Sequence, residues 1–150
     1  MNDNNSALVM VGTTGSGKST WARAFAKLQP AVIIEGDSFS GSWVDVHDQI
    51  LDRLVENIGE FVILDGTHYD RESRLGALIT LRSMGWKTVN AVVVHPPLAV
   101  CISQNAMRSR VTPRHTIVEM HRRVEKSLKK IEAEGFSSVV YALGETEVES

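Results

Sequence analysis

Cysteine is nearly absent from this chain, which has one, at position 101, among its 150 residues. A single cysteine excludes an internal disulfide, and its place in an apolar helical segment predicts a small buried side chain, not a nucleophile. No apolar segment approaches the length that spans a bilayer, and the polar first six residues lack the pattern of a secretory signal. These absences predict a cytoplasmic protein.

The chain also lacks an excess of positive charge. Its formal net charge is -2, and its apolar and charged fractions, 43% and 23%, are ordinary for a soluble globular domain. Nucleic-acid binding would therefore need a local basic patch. One helical segment offers either such a patch or an ordinary solvated face, because Glu119, Glu125 and Glu132 dilute its charge. Its basic residues are His121, Arg122, Arg123, Lys126, Lys129 and Lys130.

What the chain does contain is a phosphate-binding motif near its amino end. Residues 12–19, Gly-Thr-Thr-Gly-Ser-Gly-Lys-Ser, match G-x-x-x-x-G-K-[ST] between an apolar segment and a helix-compatible one. In this context the backbone amides hold phosphate, Lys18 reaches the outer phosphates and the Ser19 hydroxyl ligates Mg²⁺. A dinucleotide fingerprint is excluded because Thr20 stands where its third glycine is needed. The predicted nucleotide-binding residues are Gly12, Thr13, Thr14, Gly15, Ser16, Gly17, Lys18, Ser19 and Thr20.

Apolar segments alternate with helical patterns along the chain. We predict strands at residues 7–11, 31–34, 61–64, 88–94 and 138–141, and helices at 19–27, 45–57, 72–84, 98–107 and 116–134, the last being the longest. The strand segments are almost continuously apolar, which indicates a parallel sheet covered by helices on both faces. We therefore predict one α/β domain of the P-loop NTPase fold over residues 1–150, with five parallel strands and a loose acidic tail at about 144–150.

Two aspartates follow predicted strands, at the edge where such sheets bind ligands. Asp65 is predicted to hold Mg²⁺ together with Ser19, as a Walker B acid does, or else to cap the next loop. Asp37 is predicted to orient an acceptor hydroxyl and take its proton, or else to be a turn residue. Thr67 and His68 follow Asp65 directly and can bind the acceptor or the γ-phosphate.

Aromatic side chains lie close to Asp37 in the sequence. Phe39 and Trp43 are candidates for stacking on a nucleobase at the acceptor site. The alternative for Trp43 is partial burial in the core. The predicted acceptor site therefore comprises Asp37, Phe39, Trp43, Thr67 and His68.

Arginines cluster around Pro113, between the last two predicted helices. Arg108, Arg110 and Arg114 there predict an arginine-rich lid over residues 105–115. A phosphoryl-transfer transition state with spread charge needs such cations. We assign Arg108 to the transferred group and Arg110 to the nucleotide. A solvated basic turn is the alternative.

These motifs together resemble the small P-loop kinase group, and most of all the bacteriophage polynucleotide 5′-kinase domain. The resemblance implies that Asp37 is the general base and that Arg108 stabilises the transferred phosphate. Ser40 departs from it, because those kinases usually carry an arginine there that grips the acceptor strand. Related phage enzymes phosphorylate hydroxymethyl groups on DNA pyrimidines, a reaction that needs the base swung out of the stack. The resemblance rests on the phosphate loop, Asp37, residues 65–67, the segment 101–108, Pro113, the helical segment 118–125 and the Glu-Gly-Phe segment 134–136.

We therefore expect a kinase that uses ATP and Mg²⁺ to phosphorylate a hydroxyl of a nucleic acid, with DNA as the partner. The acceptor is either a 5′-hydroxyl end or the hydroxymethyl group of a modified pyrimidine. A small-molecule kinase with a nucleoside, gluconate-like or antibiotic acceptor is one alternative. Another, from a different class, is a nucleotide-binding switch or NTPase that transfers phosphate to water.

Overall fold

Five strands alternate with five α-helices in the computed structural model, which describes residues 5–66, 70–109 and 111–142 and, for Asp37, the backbone only. The strands are β1 (Ser6–Val11), β2 (Val32–Glu35), β3 (Val62–Asp65), β4 (Thr88–Val93) and β5 (Ser138–Tyr141). The helices are α1 (Lys18–Leu28), α2 (Trp43–Glu56), α3 (Arg71–Ser83), α4 (Leu98–Ala106) and α5 (Arg114–Ser127), with 3-10 segments at Gly36–Ser38 and Leu128–Ala133. Among these helices, none is long and apolar enough to cross a membrane.

All five strands are parallel, in the order β2-β3-β1-β4-β5, which confirms the predicted sheet. The register pairs Glu35 with Asp65 and Val11 with Val93. The carboxyl ends of four strands therefore meet at one edge, with β1 in the middle of the sheet. The segments that follow these strands are brought together there, as expected for a ligand site in a sheet of this kind.

Side chains along β1 alternate between two apolar cores. Ala7 and Val9 pack on the face covered by α2 and α3, and Leu8 and Met10 pack on the face covered by α1. Complete burial of one aliphatic side chain stabilises the folded state by about 1.5–3 kcal/mol relative to leaving it exposed. A strand that is buried on both faces is therefore expected to be apolar along its whole length. The first core is built with Leu54, Leu78, Leu81 and Trp86, and the second with Ala22 and Phe25.

Helix α2 begins two residues earlier than predicted because of a capping box. The Ser42 hydroxyl accepts a hydrogen bond from the Asp45 amide at 3.2 Å, and the Asp45 carboxylate accepts one from the Ser42 amide at 3.0 Å. The bond from the Ser42 amide holds the pKa of Asp45 below its usual range. These reciprocal bonds satisfy amides that would otherwise lack a partner at the helix start.

The prediction of one long helix over residues 116–134 is wrong. Helix α5 ends at Ser127 and tightens into the 3-10 segment, in which Lys130 has the non-helical angles φ -122° and ψ 15°. At the point of change, the Ser127 carbonyl oxygen accepts a hydrogen bond from the Arg74 guanidinium at 3.2 Å, and the Ser127 hydroxyl accepts another at 3.0 Å. A side chain from α3 therefore occupies the position where the helix changes its pitch.

Arg74 also forms a buried ion pair with Glu134. Its Nε and Nη2 each lie 2.7 Å from a carboxylate oxygen of Glu134, and the two side chains are 0% and 2% exposed. This bidentate ion pair connects α3 to the segment that leads into β5. Burial of both charges makes the pair costly to break on one side only.

Candidate active site

The phosphate loop joins β1 to α1 along a backbone path that requires glycine at three points, one of them Gly17 with φ 100°. A Cβ on Gly12 would lie 2.4 Å from the Val94 carbonyl oxygen. Gly15 has φ 85°, and a Cβ there would lie 2.6 Å from the Cys101 carbonyl oxygen. The loop therefore curls tightly against the chain that follows β4 and against α4, and its shape is held by backbone on both sides.

The start of α1 is open to a ligand. Its N-cap is Gly17, which has no side chain with which to cap the helix. The backbone amides of the first turn, which lines the cavity, are therefore available to an anion, and the helix dipole favours negative charge there. Lys18 is nearly buried in the same wall, and its ammonium lies 3.4 Å from the Thr13 carbonyl oxygen.

Ser19 and Asp65, both predicted to hold Mg²⁺, lie in contact although 46 positions separate them in the sequence. The Ser19 hydroxyl donates a hydrogen bond of 2.6 Å to Oδ2 of Asp65, whose side chain is buried at the end of β3. The two oxygens are close enough to share one cation, and Mg²⁺ prefers oxygen ligands of this kind. The donor set therefore fits a magnesium ion.

A cavity of about 770 Å³ lies over the loop, within the size range of small-ligand sites. Arg108, predicted to reach the transferred phosphate, is part of its wall. Arg23 lines it too and pairs with Glu35 at 3.7 Å. Arg23 was not predicted, although it lies one helical turn after Ser19, a spacing that places both on one helix face. The other lining residues are 14–21, Ala24, Glu35, Asp65, Gly66, Val94, Gln104 and Ser109.

The segment that carries Arg108 is closed by a buried asparagine. Asn105 donates a hydrogen bond to the Thr112 carbonyl oxygen at 2.7 Å and accepts one from the Thr112 amide at 3.1 Å. These bonds fix both ends of the predicted lid to each other. Arg110 lies outside the described residues, so its assignment to the nucleotide stays a prediction.

Only part of the predicted acceptor site falls within the residues that the structure describes. The Asp37 backbone belongs to the 3-10 turn after β2, while its side chain, like Thr67 and His68, lies outside what the structure describes. Phe39 packs against the core of α2 and α3, and Trp43 is 79% exposed with its ring stacked on His47 at 5.5 Å. Neither aromatic ring lines the cavity. The roles given to these five residues stay predictions.

Two stacked histidines, His95 and His121, connect α5 to the segment that follows β4. His95 follows β4, and its ring stacks on that of His121 in α5 with centroids 4.3 Å apart. Nε2 of His121 donates to the Pro96 carbonyl oxygen at 2.9 Å, and Glu125 lies 3.5 Å from His95. Burial and then His121 lower the pKa of His95, against the opposite effect of Glu125. The pair joins α5 to the segment that packs on Gly12.

Cys101 is fully buried, which confirms the predicted small apolar role. Burial raises the pKa of its thiol, so the thiolate form is disfavoured. A neutral buried thiol is a poor nucleophile. Its Sγ lies 3.9 Å from the Pro96 carbonyl oxygen, in the segment that precedes α4.

Three solved structures show the same fold. A protein of the Pnkp1/Rnl/Hen1 RNA repair complex has a TM-score of 0.74 and 19% identity, over 84% of this chain and 46% of that chain. A fungal RNA kinase has a TM-score of 0.67 and 15% identity, over 91% and 37%. A gluconokinase from Sinorhizobium meliloti 1021 has a TM-score of 0.62 and 18% identity, over 93% and 82%. This chain thus spans less than half the length of the first two.

The sequence itself matches a known family. Residues 8–127 match an AAA domain family, AAA_33, and this match runs from β1 to the end of α5. No curated protein sequence matches the chain. With its phosphate loop, parallel five-stranded sheet and P-loop kinase-like fold, the chain belongs to this AAA domain family.

Proposed function

We propose that this protein is an ATP-dependent kinase whose acceptor is a hydroxyl of a nucleic acid, in the first place a 5′-hydroxyl end. The observation that carries the proposal is the 2.6 Å contact between Ser19 and Asp65 in a cavity that Lys18 and Arg108 also line. Such a cavity suits a nucleoside triphosphate and its transfer chemistry. The two RNA-related neighbours support a nucleic-acid acceptor.

The triphosphate would be held by the phosphate loop. The amides of residues 17–19 and the positive end of α1 would bind the β- and γ-phosphates, and the Lys18 ammonium would contact their outer oxygens. Ser19 and Asp65 would hold Mg²⁺, which neutralises phosphate charge when it is bound. The hydrogen bond between the Ser19 hydroxyl and the Asp65 carboxylate already holds these two oxygens close together, as a shared metal ion would require.

Transfer itself needs a base and a cation on the far side of the γ-phosphate. In the proposed reaction the Asp37 carboxylate orients the acceptor hydroxyl and takes its proton as the acceptor oxygen bonds to the γ-phosphorus. The bond from that phosphorus to the β–γ bridging oxygen breaks, and ADP leaves. Arg108, placed in the cavity wall, stabilises the charge on the transferred group.

The test is transfer of labelled γ-phosphate from ATP onto a panel of acceptors. The panel contains 5′-hydroxyl DNA and RNA oligonucleotides, hydroxymethyluracil-containing DNA, nucleosides and gluconate. We expect label on the 5′-hydroxyl oligonucleotides. Label on the hydroxymethyluracil-containing DNA alone would still indicate a nucleic-acid acceptor, but the phosphorylated hydroxyl would then be that of the modified base and not the 5′ end. ATP hydrolysis that no acceptor changes would overturn the proposal in favour of an NTPase.

A small-molecule kinase is the second candidate. The observation that favours it is the gluconokinase match, which covers 82% of that chain and thus nearly a whole small-molecule enzyme. A deoxyadenosine kinase from M. mycoides, with a TM-score of 0.57 and 13% identity, also shares the fold. Label on a nucleoside or on gluconate, and on no oligonucleotide, would select this candidate.

A further inference from the structure

A second concavity lies between the start of α3 and the end of α5, and it shares no lining residue with the nucleotide cavity. Its volume is about 610 Å³. The chain as a whole carries a formal net charge of -2, so the positive charge here is a local concentration. We call this concavity the basic groove. Six cationic side chains line it: Arg71, Arg122, Arg123, Lys126, Lys129 and Lys130.

The carboxylates in the wall of the basic groove are already engaged within the protein. Asp70 accepts a hydrogen bond of 2.8 Å from the Ser73 amide and so caps α3. Glu134 is matched by the buried Arg74 through two bonds of 2.7 Å. The six cations therefore outweigh the acids that face the same space, and the groove attracts polyanions.

Two of the six cations are held in place on the helix surface. Glu119 accepts hydrogen bonds from Arg122 at 2.5 Å and from Arg123 at 3.1 Å. The bond from Arg122, followed by that from Arg123, lowers the pKa of Glu119 to about 2, so the carboxylate is charged at neutral pH. One carboxylate between two guanidinium groups leaves excess positive charge and limits the freedom of both side chains, which reduces the entropic cost of binding.

Two short segments lead from the nucleotide cavity to the basic groove. Arg71 comes six residues after Asp65, which lines the cavity. Six residues of chain reach at most about 20 Å. Helix α5 starts at Arg114, shortly after Arg108 in the cavity wall, and carries three of the groove cations further along. A few nucleotides of an extended strand can bridge such a separation.

We propose that the basic groove binds the sugar–phosphate backbone of a single-stranded nucleic acid whose reacting hydroxyl lies in the nucleotide cavity. This rests on the proposed kinase function and extends it, because it adds a site several nucleotides away from the reaction. A concave, cation-lined groove follows a single strand, whereas a duplex presents a wide convex surface. Contacts to phosphates carry no sequence information, so binding is independent of base sequence.

The test compares two charge-matched double variants of the full chain. Lys126→Ala/Lys129→Ala removes two groove cations, and Lys27→Ala/Lys87→Ala removes two exposed lysines elsewhere. Binding of a fluorescent 12-nucleotide single strand is measured by anisotropy at several salt concentrations, without ATP. We expect the groove variant to bind the 12-mer about tenfold more weakly than wild type. The slope of its log affinity against log salt concentration should be shallower by about one unit for each phosphate contact that is lost. The control variant should behave as wild type in both respects.

Kinetics then separate the groove from the reaction. With a 12-nucleotide 5′-hydroxyl acceptor, the groove variant should show a raised KM and an unchanged kcat, and with a dinucleotide acceptor it should match wild type. If wild type binds the 12-mer through the groove but phosphorylates nothing, the kinase proposal fails and the groove stands as a binding site. Equal losses in both variants, or wild-type binding by the groove variant, would overturn the groove. So would groove-dependent binding to phosphatidylserine vesicles without any binding to the 12-mer.

Discussion

The two sides of the nucleotide cavity differ in the groups that form them. On the donor side, backbone from three segments meets at Gly12 and Gly15, and Ser19 is hydrogen-bonded to Asp65. On the proposed acceptor side, a short 3-10 turn follows β2, and Trp43, the first residue of α2, is 79% exposed. Backbone groups, whose positions a short motif determines, therefore form most of the donor side. The proposed acceptor side consists of a connecting segment and the start of a helix, and such segments can differ between proteins of one fold.

The largest expected effect comes from breaking the donor side. Lys18→Ala removes the ammonium in the cavity wall, and we expect transfer to fall by about a thousandfold or more for every acceptor. The measurement is labelled-phosphate transfer under identical conditions. Lys27→Ala, on the exposed part of the same helix, is the control and should be unchanged. Substantial transfer by the Lys18 variant would show that the phosphates bind elsewhere.

The next effect concerns the buried ion pair between Arg74 of α3 and Glu134. Arg74→Met leaves Glu134 buried without its partner and should destabilise the protein by about 3–5 kcal/mol in urea unfolding. The double variant Arg74→Met/Glu134→Leu should recover most of this loss, because no charge then remains buried. A single variant as stable as wild type would contradict the structural role of the pair.

Breaking the acceptor side should change transfer without changing ATP binding. Asp37→Asn is expected to lower transfer by about a hundredfold or more, the usual scale for a lost general base. The KM for ATP should stay near the wild-type value, which separates this variant from the Lys18 variant. Asp48→Asn, an exposed change in α2, is the matched control. Wild-type transfer by the Asp37 variant would remove that residue from the mechanism.

The smallest expected effect concerns His95, which lies in the segment that packs against the phosphate loop on the donor side. The pKa of His95 lies below its ordinary value of 6.5, so the unfolded chain binds this proton at a higher pH than the folded protein does. Stability should therefore be fully present above about pH 6.5 and fall as the pH drops below it. His121 stacks on His95 and Glu125 faces it, and both shape this titration.

Melting temperatures measured from pH 7.5 to 5 check this prediction. His95→Gln should flatten the decline, whereas His115→Gln, an exposed change, should leave it as in wild type. An unchanged decline in the His95 variant would assign the pH dependence to other groups.

Most of the fold was predictable because its signals are local. Continuous apolar segments marked all five strands to within one residue, since strands buried on both faces have no polar positions. The start of α2 was missed by two residues although Ser42 and Asp45 carry the capping signature. The end of α5 was not predictable, because it depends on Arg74, which is 53 positions away from Ser127.

The candidate site divides in the same way. The phosphate loop followed from its motif, and the motif together with the place of Asp65 at the end of a predicted strand suggested that Ser19 and Asp65 lie near each other. Asn105, Arg23 and the pair of His95 and His121 were not predicted, because each depends on which distant segment packs beside it.

The sequence alone determined the phosphate-binding loop, the parallel sheet and the burial of Cys101, because glycine spacing and apolar continuity act through neighbours in the chain. Only the tertiary structure decided where Arg74 is neutralised, that Arg23 also lines the cavity, and how cations on α3, on α5 and in the 3-10 segment come to share one groove. These outcomes depend on packing between segments far apart in sequence, and burial, charge pairing and concavity exist only once those segments are in contact.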